Sequence, residues 1–299
     1  MLALVAAPPT AEIREVPDPE PKANEALVEV RAFSLNRGEV MRLADMNDGD
    51  VTGWDVAGVV RQAAADGSGP REGARVVGMV GRGAWAQLVN VPTGWLAELP
   101  ENVSFEDAAT LPVAGITALE TLDIGGNPLG RRVLVTGASG GVGTFAIQLA
   151  KHAGAHVTAV ARRQEGLREL GADEVVDSVP EGAEYDTILD GVGGPILGAA
   201  IGAVAPFGTV VSYASTVTEP VTYSTRTLFG RAPGAKVVGF LVFRYVRDGA
   251  ATLTRLANLT ADGRLQPRIG RVASWREAPQ LLQDLVDYKI AGKAVLTVD

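Results

Sequence analysis

The chain has 299 residues, 46% of them hydrophobic and 21% charged, with a formal net charge of −8 and no cysteine. That length supports two lobes around sizeable cores. The acidic balance, with Lys and Arg scattered, argues against a nucleic-acid footprint. The lack of cysteine excludes disulfides, thiol nucleophiles and thiolate metal sites, and fits a reducing cytoplasmic compartment.

The opening MLALVAAPP lacks a basic n-region and reads as a first strand. No apolar run approaches the ~20 residues of a membrane helix. Short β-type runs follow, EALVEVRAFSLN, VAGVVRQA, ARVVGMV and AWAQLVNVP, divided by Gly, Pro and Asp. Their spacing predicts a small antiparallel barrel or sandwich. SFEDAATLPVAGITALETL changes texture: Ser104 with Asp107 three residues on forms a capping-box pattern before helical spacing around Pro112. Strict βα alternation comes next. RRVLVTG, HVTAVA, EVVD, YDTILD, FGTVVSYAS and AKVVGFLVF read as strands; VGTFAIQLAKHAG, QEGLRELGA and PILGAAIGAV read as helices. Alternation of this kind predicts a parallel sheet covered on both faces. GRLQPRIGRVASW, the helix REAPQLLQDLVDY and KAVLTVD leave the pattern and are expected to return to the first lobe.

LVTGASGGVG carries the chemistry. Gly137, Gly140 and Gly143 are spaced three apart, with Gly141 added, after a buried-type strand and before a helix. A diphosphate at a helix N-terminus needs close backbone approach and free first-turn N–H groups. Ser139, Gly140, Gly141, Val142 and Gly143 are therefore the candidate phosphate cradle; the alternative is a tight βα turn that binds nothing. About 20 residues on, where an acid would hold a ribose 2′-hydroxyl, the chain reads Ala161-Arg162-Arg163-Gln164. Two guanidiniums and no acid suit a 2′-phosphate, so NADPH is expected over NADH. The alternative is a solvated arginine pair. A short-chain dehydrogenase reading of TGASGGVG fails, because none of Tyr185, Tyr213, Tyr223, Tyr245 and Tyr288 is followed by Lys four residues on.

RAFSLNRGEVMRL, GWDVAGVV, GAWAQLVNVP, LPVAGITALETL, GASGGVG, LRELGADEVVD, YDTILDGVGG and KAVLTVD resemble, in the same order, stretches of the medium-chain dehydrogenase/reductase superfamily. The resemblance is to its zinc-free quinone oxidoreductase, zeta-crystallin-like branch. It implies an α/β fold in which a Rossmann-type parallel-sheet domain, residues 114–254, is inserted in a chaperonin-10-like β-barrel catalytic domain, residues 1–113 and 255–299. It also implies a cofactor in the cleft between them. By resemblance, Asn36 and Thr117 lie at the nicotinamide and form the catalytic pair. Asp190, Gly191 and Val192 end the strand facing ribose and adenine. Tyr213, Phe240, Leu241 and Val242 bring backbone to the carboxamide, and Lys293 lines the cleft. The plain alternatives are a strand-end turn for Asn36, a helix-interior hydroxyl for Thr117, a glycine turn for Asp190–Val192, a core ring for Phe240 and a solvated Lys293. Met41 and Ser178 stand where relatives often have tyrosines.

Zinc needs Cys or His ligands, typically three in a catalytic site. This chain offers only His152 and His156, both in the nucleotide-binding half. Without a metal, hydride transfer suits an acceptor already activated by conjugation. The expected activity is NADPH-dependent reduction of a quinone or α,β-unsaturated carbonyl, without zinc. The alternatives are an ene or enoyl reductase of a biosynthetic pathway and a non-catalytic NADPH-binding protein. A conjugated small molecule is the expected partner, with neither nucleic acid nor membrane. By resemblance the chain forms a homodimer, near AKVVGFLVF.

Overall fold

In the computed structural model, which describes residues 1–299, the chain opens with a hairpin of β1 (Leu2–Ala7) on β2 (Thr10–Glu15). β3 (Glu25–Leu35) alternates buried and half-exposed positions up to Val30, then is buried on both faces from Ala32. Period-two patterning therefore gives way where neighbours cover both sides. The short helix α1 (Arg37–Arg42), β4 (Asp55–Gln62), β5 (Arg75–Met79), β6 (Leu88–Pro92) and β7 (Leu96–Glu98) follow. Ser104 caps α2 (Phe105–Ala109), its Oγ accepting the Asp107 N–H at 3.0 Å, as the capping pattern predicts. A single π turn, Leu111–Gly115, surrounds Pro112 and runs into α3 (Ile116–Gly125).

The second stretch runs through β8 (Arg132–Thr136), α4 (Gly141–His152), β9 (His156–Val160), β10 (Glu174–Val176), β11 (Tyr185–Asp190), α5 (Gly194–Gly202), β12 (Val204–Ser212), β13 (Lys236–Gly239) and α6 (Val242–Tyr245). The chain ends with α7 (Gly249–Ala261), β14 (Ile269–Ser274), α8 (Ala278–Val286) and β15 (Lys293–Thr297). It divides into two units, Met1–Ile116 with Arg247–Asp299, and Thr117–Val246.

The first unit holds a seven-stranded sheet in the order β14-β15-β3-β4-β5-β7, with β6 also on β3. The tail joins it: β15 pairs antiparallel with β3 and parallel with β14, so the sheet is mixed rather than purely antiparallel. Its core gathers Leu4, Val28, Phe33, Val56, Trp85, Trp275, Leu281 and Leu296. The expected boundary at 254/255 falls inside α7. That helix stays whole with the first unit because Leu256 packs on Gly115 and Gly249 lies against the Trp95 ring.

The second unit is a six-stranded sheet, β10-β9-β8-β11-β12-β13, parallel throughout. β8, β9, β11 and β12 each carry a run of four consecutive buried residues, as a doubly covered parallel sheet requires. Two expected elements differ. QEGLRELGA forms turns rather than a helix, broken by positive φ at Gly166 and Gly171. The strand read in AKVVGFLVF stops at Gly239, because Gly239 meets the last β12 residue, Ser212, and no partner continues beyond it.

Candidate functional site

In the second unit the strand order reverses between β8 and β11, and their carboxyl ends lie side by side. This is the switch point at which open α/β sheets bind ligands. β8 ends in the glycine turn. Gly137 turns with φ +63, and the Ala138 and Gly140 N–H groups are used by Val160 and Gly137 carbonyls. Gly140 then caps α4 without any side-chain hydrogen bond. The N–H groups of Gly141, Val142 and Gly143 form the open first turn of a 12-residue helix, where the dipole is positive. A Cβ on Gly143 would lie 2.6 Å from the Gly137 carbonyl oxygen, so only glycine lets this turn close. The turn fits a dinucleotide diphosphate: bare backbone, unclaimed donors and no competing anion. Ser139 is half-buried at its rim.

Asp190 ends β11 fully buried. Its carboxylate accepts from Thr136 Oγ1 at 2.6 Å, from the Gly193 N–H at 3.1 Å, and more weakly from the Val192 N–H and Ser212 Oγ, both at 3.4 Å. Burial raises its pKa against these hydrogen bonds. Asp190 thus ties the ends of β8, β11 and β12 together, and its oxygens are taken up by the protein rather than presented to a ribose. Val192 packs against Gly137, and its carbonyl accepts the Thr216 N–H. The Tyr213 phenol lies over Gly191, and burial, with the Asp190 charge, pushes it above the ordinary tyrosine range.

Arg162 and Arg163 are exposed just beyond β9. Phe240 is a core ring, 5.2 Å centroid to centroid from Tyr245, and its N–H is spent on the Ser212 carbonyl. The Leu241 carbonyl is likewise occupied, by the Arg244 and Tyr245 N–H groups. The backbone groups of these two left without a partner are the Phe240 carbonyl and the Leu241 N–H, next to Val242 at the start of α6. Thr117 is buried in α3; its carbonyl accepts the Thr121 hydroxyl, while its own hydroxyl is engaged with no group of the chain.

The first unit contains a polar cluster that sequence reasoning saw only in part. Lys293, expected at a cofactor or solvated, is 3% exposed and saturated. Its ammonium donates to the Leu35 carbonyl (3.1 Å), Asn36 Oδ1 (2.6 Å) and Asp55 Oδ2 (3.3 Å), which uses all three protons. Burial without partners would be prohibitive for an ammonium, and β15 beside β3 supplies them. Asp55 also accepts from Ser34 Oγ (2.5 Å), Asn36 Nδ2 (2.7 Å) and the Val113 N–H (2.9 Å), the last from the π turn. Asn36, half-buried, has its amide orientation fixed from both ends. Glu39 accepts the Asn36 N–H at 2.7 Å. Burial first, and the facing Asp55 second, hold its carboxyl well above the usual range. Asp55, Ser34 and Glu39 were missed because a single carboxylate in GWDVAGVV or NRGEV has no spacing signature; only the fold joins them to a lysine 238 residues away.

No group of three or more His, Cys, Asp or Glu side chains is placed to hold a metal ion. His152 and His156 sit on α4 and β9. The residues present do not fit a catalytic zinc site, and the cation of the buried cluster is the Lys293 ammonium.

Two family models match the chain, one described as an alcohol dehydrogenase GroES-like domain over residues 22–101, the other as a zinc-binding dehydrogenase over 141–258. The chain is 37% identical over 205 residues to the chloroplast envelope quinone oxidoreductase homolog of Arabidopsis thaliana, covering 58% of this chain and 61% of that one. It is 32% identical over 279 residues to NAD(P)H oxidoreductase RTN4IP1, mitochondrial, of Mus musculus, covering 82% and 70%. The match to the plant relative thus spans less than two thirds of that protein's length. The solved structure of the quinone oxidoreductase from Coxiella burnetii aligns with a TM-score of 0.86 at 27% identity, covering 100% of this chain and 99% of its own.

Removing one partner of the buried pair leaves a charge without compensation. Lys293→Met is expected to lower unfolding stability by about 3–5 kcal/mol. Adding Asp55→Asn to that variant should recover part of the loss, as read from urea midpoints in a double-mutant cycle.

Proposed function

The chain belongs to the medium-chain dehydrogenase/reductase superfamily, in its quinone oxidoreductase branch, and we propose that it is a zinc-independent NADPH oxidoreductase that reduces a quinone or an α,β-unsaturated carbonyl. The observation that carries this reading is the Gly137–Gly143 turn at the strand-order switch, with the unclaimed N–H groups of Gly141–Gly143 aimed where a diphosphate binds. The names of the plant and mouse relatives, a quinone oxidoreductase homolog and an NAD(P)H oxidoreductase, support the same class.

When bound, the dinucleotide supplies a hydride from its nicotinamide. The α4 N-terminus holds the diphosphate, and Arg162 and Arg163 engage a 2′-phosphate in a place that offers no ribose-reading acid. Asn36 and Thr117 are the residues we assign to the nicotinamide end. Asn36 shows the remaining lone pair of an Oδ1 already bonded to Lys293, and Thr117 an uncommitted hydroxyl. Neither is a strong acid, and Lys293 has no proton to spare. A plain ketone would need its oxygen polarised, whereas a conjugated acceptor spreads the developing charge itself. That supports the quinone or enone class and the absence of zinc.

The apolar edge strand β13, with Val237 exposed, supports a homodimer formed by edge pairing of two copies. Val237→Asp is expected to shift the mass seen by light scattering from dimer to monomer.

The cofactor assignment predicts that Arg162→Ala and Arg163→Ala each lower the NADPH-to-NADH preference in kcat/KM by roughly ten- to hundredfold, the equivalent of about 1.5–3 kcal/mol per charged hydrogen bond. NADPH oxidation is followed against 1,4-benzoquinone, 9,10-phenanthrenequinone, 2-cyclohexenone and a crotonyl thioester. Turnover of the thioester alone would favour an enoyl reductase. Tight NADPH binding with no turnover would favour a non-catalytic binder.

A further inference from the structure

Glu39 is a buried carboxyl for which the hydride-transfer reading has no use. It is fully buried on α1. Oε1 accepts the Asn36 backbone N–H at 2.7 Å and lies 3.4 Å from Asn36 Nδ2; Oε2 is buried with no hydrogen-bond partner at all. The charged groups facing it are Asp55 on β4 and Lys293 on β15. α8, which also packs on α1, meets it through the Leu285 and Val286 carbonyls, which accept from Arg37. The α8 carboxylate Asp284 is paired with Arg271 and Lys289.

Charge counting assigns the proton. Two buried carboxyls share one ammonium, so ionising both would leave a net negative charge out of water. Asp55 has four donors: Ser34, Asn36, Lys293 and the Val113 N–H. Glu39 has one strong donor and an orphaned oxygen. The proton therefore belongs on Glu39 Oε2.

We propose that Glu39, held as a neutral carboxylic acid, is the positioning residue that keeps the Asn36 amide turned toward Asp55 and Lys293, and that its ionisation releases Asn36 from that orientation. The geometry contains the competition. Asn36 Nδ2 donates to Asp55 Oδ2 at 2.7 Å with Glu39 Oε1 at 3.4 Å on its other side. A charge on Glu39 would draw this donor, and the Lys293 ammonium, away from Asp55. The consequence for turnover rests on the function proposed above; the protonation state does not.

The test compares Glu39→Gln, a permanently neutral isostere, and Glu39→Ala with wild type. The infrared difference spectrum of wild type minus E39Q at pH 7 should show a carboxylic-acid C=O band; a carboxylate band in its place overturns the proposal. For wild type, kcat/KM for the acceptor should fall at alkaline pH, and E39Q should lose that limb. E39A should lower kcat by roughly tenfold at every pH, with little change in KM for NADPH, because Asn36 is misplaced while the phosphate turn is intact. An alkaline limb unchanged in E39Q overturns the proposal as well. If no acceptor is turned over, thermal unfolding still decides. The folded state binds this proton more tightly than the unfolded chain, so the stability it contributes is present below the ordinary Glu range and is lost as pH rises through the folded value. Wild type should therefore lose Tm relative to E39Q with rising pH and match it in acid; parallel curves overturn the proposal.

Discussion

The constraint on which the first unit depends is the burial of one ammonium. Lys293 carries its charge to a place where only 3% of the residue meets solvent, and the surrounding chain must supply three acceptors there. Two come from the end of β3 and the residue after it, and the third from the start of β4. The last strand must therefore return to lie along β3, 258 residues from its partner carbonyl at Leu35. Asp55, the counter-ion, reaches further. It accepts the Val113 N–H, which belongs to the π turn around Pro112. A donor left over by irregular helical geometry is satisfied by the same carboxylate that balances the lysine. One ion pair thus fixes the strand pairing, the π turn and the Asn36 amide together.

The second unit uses a buried carboxylate differently. Asp190 has no cation beside it and is held by hydroxyls and backbone N–H groups from three strand ends. Its donors are dipoles, so burial wins and its pKa rises. What it secures is the closeness of the β8 and β11 turns, visible in the packing of Val192 on Gly137. The glycine turn after β8 is therefore shaped from beneath by a residue that has no oxygen to spare for a ligand.

The legibility of these features in the sequence follows their range. βα alternation, the Ser104 cap and the glycine turn are local patterns, and each appears where its residues are. QEGLRELGA read as a helix because its apolar spacing is helical, but two glycines with positive φ override the propensity. AKVVGFLVF read as one long strand because a single sequence cannot show where β12 stops offering partners. Lys293 read as a cleft or surface residue because nothing beside it in GKAVL announces the three acceptors. Asp55 was silent for the same reason: its hydrogen-bond partners lie 19 to 238 residues away in the chain, and Glu39 gains its meaning only by facing that cluster.

The saturation of Lys293 limits the chemistry that the first unit supports. A lysine with a free proton would stabilise an alkoxide, and the reaction would then extend to simple ketones. Here each proton is bound, and withdrawing one would leave Asp55 or Asn36 short of a donor in a buried site, at a cost of about 1–3 kcal/mol or more for a charged group. Ser34 is equally committed, its hydroxyl bound to Asp55. Asn36 has both amide protons directed inward to carboxyl oxygens, leaving an acceptor lone pair rather than a donor. Lys293, Ser34 and Asn36 are thus arranged to hold an amide still and offer no proton to an oxygen that becomes negative, and the Glu39 carboxyl is fully buried on α1. Under the function proposed above, an acceptor at such a site carries its own means of delocalising charge, the property that separates quinones and enones from unactivated carbonyls.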